Sequence, residues 1–186
     1  MSVLFLSGSI RMGSYNKLLV NFSYEYAKNI GIDAKLVNLS EYDMPIYNAD
    51  LENESGIPES VKELKKLFIE SKGFFISTPE YNGFFSPLLK NIIDWLSRPS
   101  DKDEAPLIAF KGKVAALNAT SPGTLGGIRA LPHLRLLLSN VGVIVLPGEI
   151  AIPNAFENFD DDGNLLNDNL KKAVYHSIDR LKEYVY

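Results

Sequence analysis

The chain of 186 residues contains no cysteine and only two histidines. The lack of cysteine excludes disulfides, thiolate metal sites and catalysis by a thiol. His133 and His176 have no partners at metal-ligand spacing in the sequence, so we expect no metal site. The chemistry of this protein must therefore come from other groups.

An excess of charge of one sign is also lacking. The 19 basic and 23 acidic residues give a net charge of −4, which disfavours nucleic acid and anionic membrane surfaces as partners. The apolar run Val3–Leu6 has only the length of a strand, and hydroxyl residues and Arg11 follow it at once, so it is not a targeting or membrane segment. We therefore expect a cytoplasmic protein with a single domain over residues 1–186.

Apolar segments of strand length alternate with helical patterns along the chain. The predicted strands are Val3–Leu6, Ala34–Leu39, Gly73–Ser77, Lys113–Asn118 and Val141–Leu146. Strands and helices that alternate in this way predict an α/β fold with a doubly wound, five-stranded parallel sheet in the order 2-1-3-4-5. We expect a surface loop from Glu41 to Pro58, and Pro132 must either lie in the first turn of its helix or kink that helix.

The loop from Ser7 to Asn16 joins the first strand to a helix. Backbone N–H groups at a helix N-terminus bind anions, and Arg11 adds a positively charged fork. Neutral donors complete the set, namely Ser9, Ser14, Tyr15 and Asn16. Ligands of doubly wound sheets bind beyond the carboxyl ends of the strands. The pattern therefore predicts a site for a phosphate monoester at this edge.

Two better-known phosphate loops share part of this spacing. Gly8 and Gly13 match the outer glycines of the dinucleotide fingerprint, but Ile10 stands at the middle position, where a side chain blocks the pyrophosphate. Ser14 and Tyr15 replace the Lys and Ser/Thr of a P-loop. Neither motif is present. The alternative to a phosphate monoester site is an ordinary surface turn.

Three groups of residues then occur in a fixed order. They are Gly8-Ser9-Ile10-Arg11 with Ser14 and Asn16, Pro79-Glu80-Tyr81-Asn82-Gly83 with Lys90-Asn91 and Ile93-Asp94-Trp95-Leu96, and Ser121-Pro122-Gly123 with Gly126-Gly127. With this combination, nearly the whole chain resembles the NAD(P)H-dependent FMN reductase family. The resemblance implies a flavodoxin-like fold, noncovalently bound FMN, NADH or NADPH as reductant, and a homodimer or homotetramer.

The resemblance also implies how FMN is held. The phosphate would lie on Ser9, Arg11, Ser14, Tyr15 and Asn16, in agreement with the anion site predicted from the residues themselves. The flavin ring would lie along Pro79, Glu80, Tyr81, Asn82 and Gly83, where backbone N–H groups can stabilise the negative charge of the reduced ring. The other side of the ring would be lined by Ser121, Gly123 and Gly126. Since the cofactor carries the hydride chemistry, no catalytic side chain is required.

The predicted function is a ping-pong reduction of a small acceptor, which could be a flavin, a quinone, an azo compound or an oxidised metal. One rival is a flavodoxin-like one-electron carrier, although such carriers tend to be more acidic than −4. Another is a phosphate-binding regulatory domain without flavin. Individual residues also have alternatives: Glu80 as a solvated carboxylate, Tyr81 as a half-buried turn aromatic and Trp95 as core packing. The acidic segment that begins at Asn158 resembles a calcium loop, but Asn169 replaces the required Glu, and a tight turn is favoured.

Overall fold

The computed structural model describes residues 2–186 and places one central sheet between two layers of helices. The strands are β1 (Val3–Ser7), β2 (Ala34–Val37), β3 (Gly73–Thr78), β4 (Glu80–Tyr81), β5 (Phe84–Phe85), β6 (Val114–Thr120), β7 (Ile144–Val145) and β8 (Ile150–Ile152). The helices are α1 (Tyr15–Asn29), α2 (Ala49–Ser55), α3 (Glu59–Glu70), α4 (Pro87–Leu96), α5 (Ala130–Asn140), α6 (Ala155–Asn158) and α7 (Asp168–Val185).

The main sheet is parallel, with the strand order β2-β1-β3-β6-β7. This is the predicted flavodoxin-like order 2-1-3-4-5, with β6 and β7 as the fourth and fifth strands, so the fold prediction is confirmed. β4 and β5 pair with each other as a separate antiparallel hairpin between β3 and α4. The hairpin leaves the main sheet where the predicted second site loop begins.

The fifth strand differs from its prediction. It covers only Ile144 and Val145 of the predicted Val141–Leu146, and β8 then pairs with the other end of β6, from Asn118 to Thr120. Pro147 has no N–H to donate to a ladder and Gly148 adopts a φ of +90°, so the backbone turns away from the sheet between the two strands. The strand is therefore split in two.

Two further boundaries were predicted wrongly. The second strand ends at Val37 rather than Leu39, because the Asn38 side chain accepts a hydrogen bond from the Ser40 N–H and starts a 3₁₀ turn. The expected loop from residue 41 to residue 58 contains α2, which is capped by the Asn48 side chain through the Asp50 N–H at 2.8 Å. Since α2 buries none of its residues, no apolar stripe marked it in the sequence.

Other expectations are confirmed. Trp95 is fully buried and its indole N–H donates to the Pro45 carbonyl at 2.8 Å, so it belongs to the core. Pro132 lies in the first turn of α5. The acidic segment is a tight turn, in which Asp160 accepts two hydrogen bonds from Asn164.

The side-chain amide of Asn16 is buried and connects α1 to two central strands of the sheet. The Asn16 Oδ1 accepts from the Ser77 hydroxyl at 2.7 Å and from the Thr120 N–H at 3.2 Å, while its Nδ2 donates to the Thr120 carbonyl at 3.0 Å. Asn16 lies in the first turn of α1, Ser77 near the end of β3 and Thr120 at the end of β6. The three bonds therefore hold the N-terminus of α1 over the carboxyl ends of the two central strands.

We predict that Asn16→Ala lowers the free energy of unfolding by about 2–4 kcal/mol, because it leaves a buried hydroxyl, N–H and carbonyl without their partner. Urea denaturation of both proteins measures this difference. Asn21→Ala is the matched control, since Asn21 is exposed on the same helix and should change stability by no more than about 0.5 kcal/mol. Equal losses in the two variants would contradict the assigned role of Asn16.

Candidate functional site

Three loops meet beyond the carboxyl ends of β1, β3 and β6, and they contain the predicted site residues except Tyr15 and Asn16, which begin α1. We call them loop one (residues 8–14), loop two (residues 79–83) and loop three (residues 121–127). Loop one starts against β3, because the Gly8 N–H donates to the Ser77 carbonyl at 2.7 Å. Loops one and two line a common cavity through Ser9, Arg11 and Tyr81. The sheet thus brings together segments that lie far apart in the sequence.

Loop one has the features of an anion site. Ser14 is the N-cap of α1, yet its side chain makes no capping hydrogen bond, and it is almost fully buried. Ser9 is similarly buried, and its backbone N–H donates to the Ser7 hydroxyl at 3.2 Å. Arg11 is exposed and pairs with no carboxylate of residues 2–186. A helix N-terminus without a side-chain cap, beside two buried hydroxyls and an unpaired guanidinium, is the environment that a phosphate dianion requires.

Two side chains expected to donate to the phosphate have other contacts. The Asn16 amide bonds to Ser77 and Thr120, as described above. The Tyr15 ring packs towards Phe159, with ring centroids 6.1 Å apart. What Tyr15 and Asn16 can offer an anion at this position is their backbone N–H groups, which belong to the first turn of α1. Sequence reasoning placed these residues at the end of the loop, where α1 begins, but could not distinguish side-chain from backbone donors.

Loop two forms the turn of the β4–β5 hairpin. Asn82 and Gly83 have φ values of +53° and +83°, as in the type I′ turns that join tightly paired strands. A Cβ placed at Gly83 meets nothing within 4 Å, so within the chain it is the positive φ of the turn, and not a close contact, that favours glycine here. The hairpin could have been predicted from the sequence, since Asn-Gly between aromatic residues favours a hairpin turn. Pro79 is buried just before the hairpin, and its carbonyl accepts from the Thr78 hydroxyl at 2.9 Å.

Glu80 is not the solvated carboxylate that we considered as an alternative. Its side chain is only 8% exposed and pairs with Arg129, whose Nε donates to Glu80 Oε1 at 2.6 Å. The backbone N–H of Arg129 also donates to Glu80 Oε2 at 3.1 Å. Sequence reasoning missed Arg129, because no local pattern connects a residue before α5 with one in loop two.

Loop three is packed closely against the sheet edge. A Cβ at Gly126 would lie 2.6 Å from the Ile152 carbonyl carbon, and one at Gly127 would lie 2.9 Å from the Ala119 Cβ. Both glycines are buried, whereas Ser121 is partly exposed and Gly123 is exposed. The two adjacent glycines therefore let loop three approach β6 and β8, and Ser121 and Gly123 retain surface that can face a ligand.

An apolar groove of about 560 Å³ adjoins the shared cavity. Its walls include Ile46, Tyr47, Tyr81 and Phe84, and it shares Tyr81 and Pro87 with the cavity of loop one. The hydrogen bond that Tyr47 donates to Glu52 is the main cause that raises the pKa of the tyrosine hydroxyl above its ordinary value. The groove can accept a planar apolar molecule next to the three loops.

Metal and membrane sites receive no support from the described residues. Residues 2–186 bring together no cluster of three histidine, aspartate or glutamate side chains that could hold a metal ion. His133 instead stacks on Phe84, with ring centroids 3.9 Å apart. Each helix in this range is too short or too polar to span a lipid bilayer.

Comparison with known proteins shows the family of the chain. The model of a family described as NADPH-dependent FMN reductase matches residues 1–157. An NAD(P)H-dependent FMN reductase of Pseudomonas aeruginosa is 33% identical over 184 residues, which cover 98% of this chain and 94% of that protein. A quinone reductase of Escherichia coli is 35% identical over 147 residues, or 78% of this chain and 73% of that protein.

A solved structure supports the same conclusion. The flavoenzyme FerB, an NAD(P)H:(acceptor) oxidoreductase from Paracoccus denitrificans, is similar at a TM-score of 0.83 and 30% identity, with 99% of this chain and 96% of that chain covered. The resemblance inferred from the motifs is thus confirmed over most of the sequence. FMN is the cofactor and NAD(P)H the co-substrate that this membership implies. The chain is an oxidoreductase that belongs to the NADPH-dependent FMN reductase family.

Proposed function

We propose that residues 1–186 act as one FMN-binding domain that reduces a small acceptor with NADH or NADPH in a ping-pong cycle. The observation that carries this proposal is the convergence of the three loops, with an anion site at one end and a hairpin turn at the other. FMN, when bound, would supply the hydride chemistry that connects the nucleotide with the acceptor. The residues of the chain bind and orient the cofactor.

In this proposal the phosphate lies in loop one. Arg11 provides a charge-assisted contact, the hydroxyls of Ser9 and Ser14 donate hydrogen bonds, and the backbone N–H groups of Tyr15 and Asn16 point the positive end of α1 at the phosphate. Two observations support the assignment. The Ser14 side chain makes no capping hydrogen bond, and the Arg11 guanidinium pairs with no carboxylate of the described residues. The Asn16 side chain contributes indirectly, since it holds this end of α1 in place.

The flavin ring would then lie along loop two, from Pro79 to Gly83. The backbone N–H groups of Asn82 and Gly83 meet no backbone acceptor within the described chain, so they are available to the ring. Donors at this position stabilise the negative charge that a reduced flavin carries near N1 and the C2 oxygen. Ser121 and Gly123 of loop three, with the backbone of Gly126, would face the other side of the ring.

The acceptor would use the open face of the ring and the adjoining apolar groove. The groove is lined by Ile46, Tyr81 and Phe84, which favours planar organic acceptors such as quinones, flavins and azo compounds. Oxidised metals need no such groove and would react at the exposed ring alone. A reductase that consumes NAD(P)H works where that nucleotide pool is kept, so we place the chain in the cytoplasm.

Several large apolar side chains surround this site and remain exposed. Met12 is 97% and Ile46 85% exposed, and further examples are Ile10, Tyr81, Phe84, Leu125 and Ile128. Exposed apolar side chains of this number around one site mark an interaction surface. We propose that a second copy of the chain covers those that lie outside the acceptor groove, such as Met12, Leu125 and Ile128, in a homodimer, or in a homotetramer built from such dimers. Sedimentation equilibrium should give at least twice the chain mass of 20.7 kDa, and the mass of a single chain would contradict the proposal.

The proposed phosphate site predicts that Arg11→Ala weakens FMN binding roughly ten- to hundredfold, because the charge-assisted contact is lost. Titration of the wild-type and variant apoproteins with FMN measures this change. The dissociation constant for riboflavin should be the same in both proteins, since riboflavin lacks the phosphate. Lys28→Ala is the matched control, because Lys28 is exposed on α1 and its contacts are with Glu25 and the Tyr24 ring of the same helix. An unchanged dissociation constant for FMN would remove Arg11 from the site.

The proposed reductase activity predicts that anaerobic mixing of the FMN-loaded protein with NADH or NADPH bleaches the flavin at a rate that saturates with nucleotide. Steady-state rates with a quinone acceptor should give parallel double-reciprocal plots, because the nucleotide product leaves before the acceptor binds. Stopped-flow absorbance and initial-rate measurements test both points. The absence of bleaching by either nucleotide would favour the one-electron carrier, and intersecting plots would exclude the ping-pong order.

A further inference from the structure

The β4–β5 hairpin is too small to hold its own shape. It has two residues in each strand and only the pairs Glu80 with Phe85 and Tyr81 with Phe84. An isolated two-stranded hairpin is at best marginally stable, even at greater length. This hairpin pairs with no strand of the main sheet. Contacts outside the hairpin must therefore fix the position of its turn.

Helix α5 supplies the first of these contacts through an ion pair. Glu80 in β4 is held by both the side chain and the backbone N–H of Arg129, the N-cap residue of α5. The Glu80 side chain is 8% exposed, whereas that of Arg129 is 62% exposed. The carboxylate is thus shielded from water and lies at a helix N-terminus, where the helix dipole favours negative charge.

The second contact involves the other strand of the hairpin. Phe84 in β5 stacks on His133, with ring centroids 3.9 Å apart and an interplanar angle of 17°. His133 follows Arg129 by four residues, so the two side chains lie on the same face of the helical turn. We call the two pairs, Glu80 with Arg129 and Phe84 with His133, the hairpin clasp. It attaches both strands of the hairpin to one helix.

Loop three also lies against the hairpin, next to Glu80. A Cβ at Gly127 would lie 3.7 Å from the Glu80 Cβ and 2.9 Å from the Ala119 Cβ, so only glycine fits between the hairpin and β6. The Gly127 carbonyl also accepts from the Ala130 N–H at the start of α5. The position of loop two is therefore linked through α5 to that of loop three.

We propose that Glu80 and Arg129 are positioning residues that set the distance between the turn N–H groups of Asn82 and Gly83 and the flavin ring. The inference rests on the proposed function and adds to it a role for a residue outside the three motifs. Neither side chain lies in loop one, so the phosphate contacts do not depend on them. Loss of either side chain should therefore weaken the binding of the flavin ring and leave the phosphate contacts unchanged.

This separation gives the proposal a distinct signature. A displaced hairpin weakens FMN and riboflavin by the same factor, whereas the loss of Arg11 weakens FMN alone. Because the turn N–H groups stabilise the reduced ring more than the oxidised ring, their displacement also makes the midpoint potential of bound FMN more negative. A residue with a purely structural role would lower the melting temperature without either effect.

The experiment compares Glu80→Gln, Arg129→Ala and the double variant with the wild-type protein. We expect each single variant to bind FMN and riboflavin about tenfold more weakly and to have a more negative midpoint potential. The double variant should lose no more affinity than the more strongly affected single variant, because all three variants break the same interaction. Glu149→Gln is the matched control. It breaks the ion pair with Arg135 on the same helix, which does not touch the hairpin, and both affinities should stay unchanged.

The clasp would be overturned if the variants bound both flavins as tightly as the Glu149→Gln control does. A lower melting temperature with unchanged affinities and midpoint potential would overturn it too, as would a loss of affinity for FMN but not for riboflavin. Additive effects in the double variant would also contradict it, since the two residues would then act independently. Wild-type protein that binds neither flavin would overturn the proposed function, and the clasp with it. Normal wild-type binding with unaffected variants would overturn the clasp alone.

Discussion

The amide of Asn16 is the interaction on which the site most depends. Its three hydrogen bonds cross from α1 to β3 and β6, and each partner lies where a strand ends and a loop begins. A parallel sheet places these ends at one edge, but it does not determine how the following loops approach one another. The buried amide sets the N-terminus of α1 relative to the two central strands, and loops one and three take their positions from it.

Two cations at this edge, Arg11 and Lys17, have no carboxylate partner within the described residues, and the Lys17 Nζ donates instead to the Ile10 carbonyl at 3.2 Å. Arg129 pairs with Glu80, and Lys90 pairs with Asp94 at 2.6 Å. Arg11 lies beside the N-terminus of α1. An anionic group is therefore attracted to loop one, while the hairpin end offers neutral N–H donors. This division matches a ligand with a phosphate at one end and a planar ring at the other.

The sequence predicted the features that local patterns determine. Alternating strands and helices were enough for the sheet order, and the hydroxyls around Arg11 were enough to suggest an anion site, which stays a prediction. The contacts that could not be predicted join residues far apart in the chain, such as Glu80 with Arg129 and Asn16 with Thr120. No periodicity records which long-range partner a buried polar side chain will meet. The helix α2 escaped prediction for a different reason, since it contributes no buried apolar residue.

Two of the missed features were in fact present in the sequence. Pro147-Gly148 interrupts the fifth strand, and Asn82-Gly83 closes a hairpin, and both pairs have established backbone preferences. Asn82-Gly83 was interpreted as part of a flavin loop, and Pro147-Gly148 directly follows Leu146, the predicted end of the fifth strand. Backbone preference is thus informative at this edge of the sheet even where a motif already suggests a function.

The central claim is that FMN is held by all three loops together. Hydrogen exchange of the apoprotein with and without FMN, followed by mass spectrometry, tests it directly, because loops with few apolar contacts of their own exchange readily until a ligand orders them. The account predicts increased protection in residues 8–17, 79–83 and 121–127 and no change in β7 and the connection that follows it, at residues 144–149. Protection in only one loop, or at a different edge of the sheet, would contradict it.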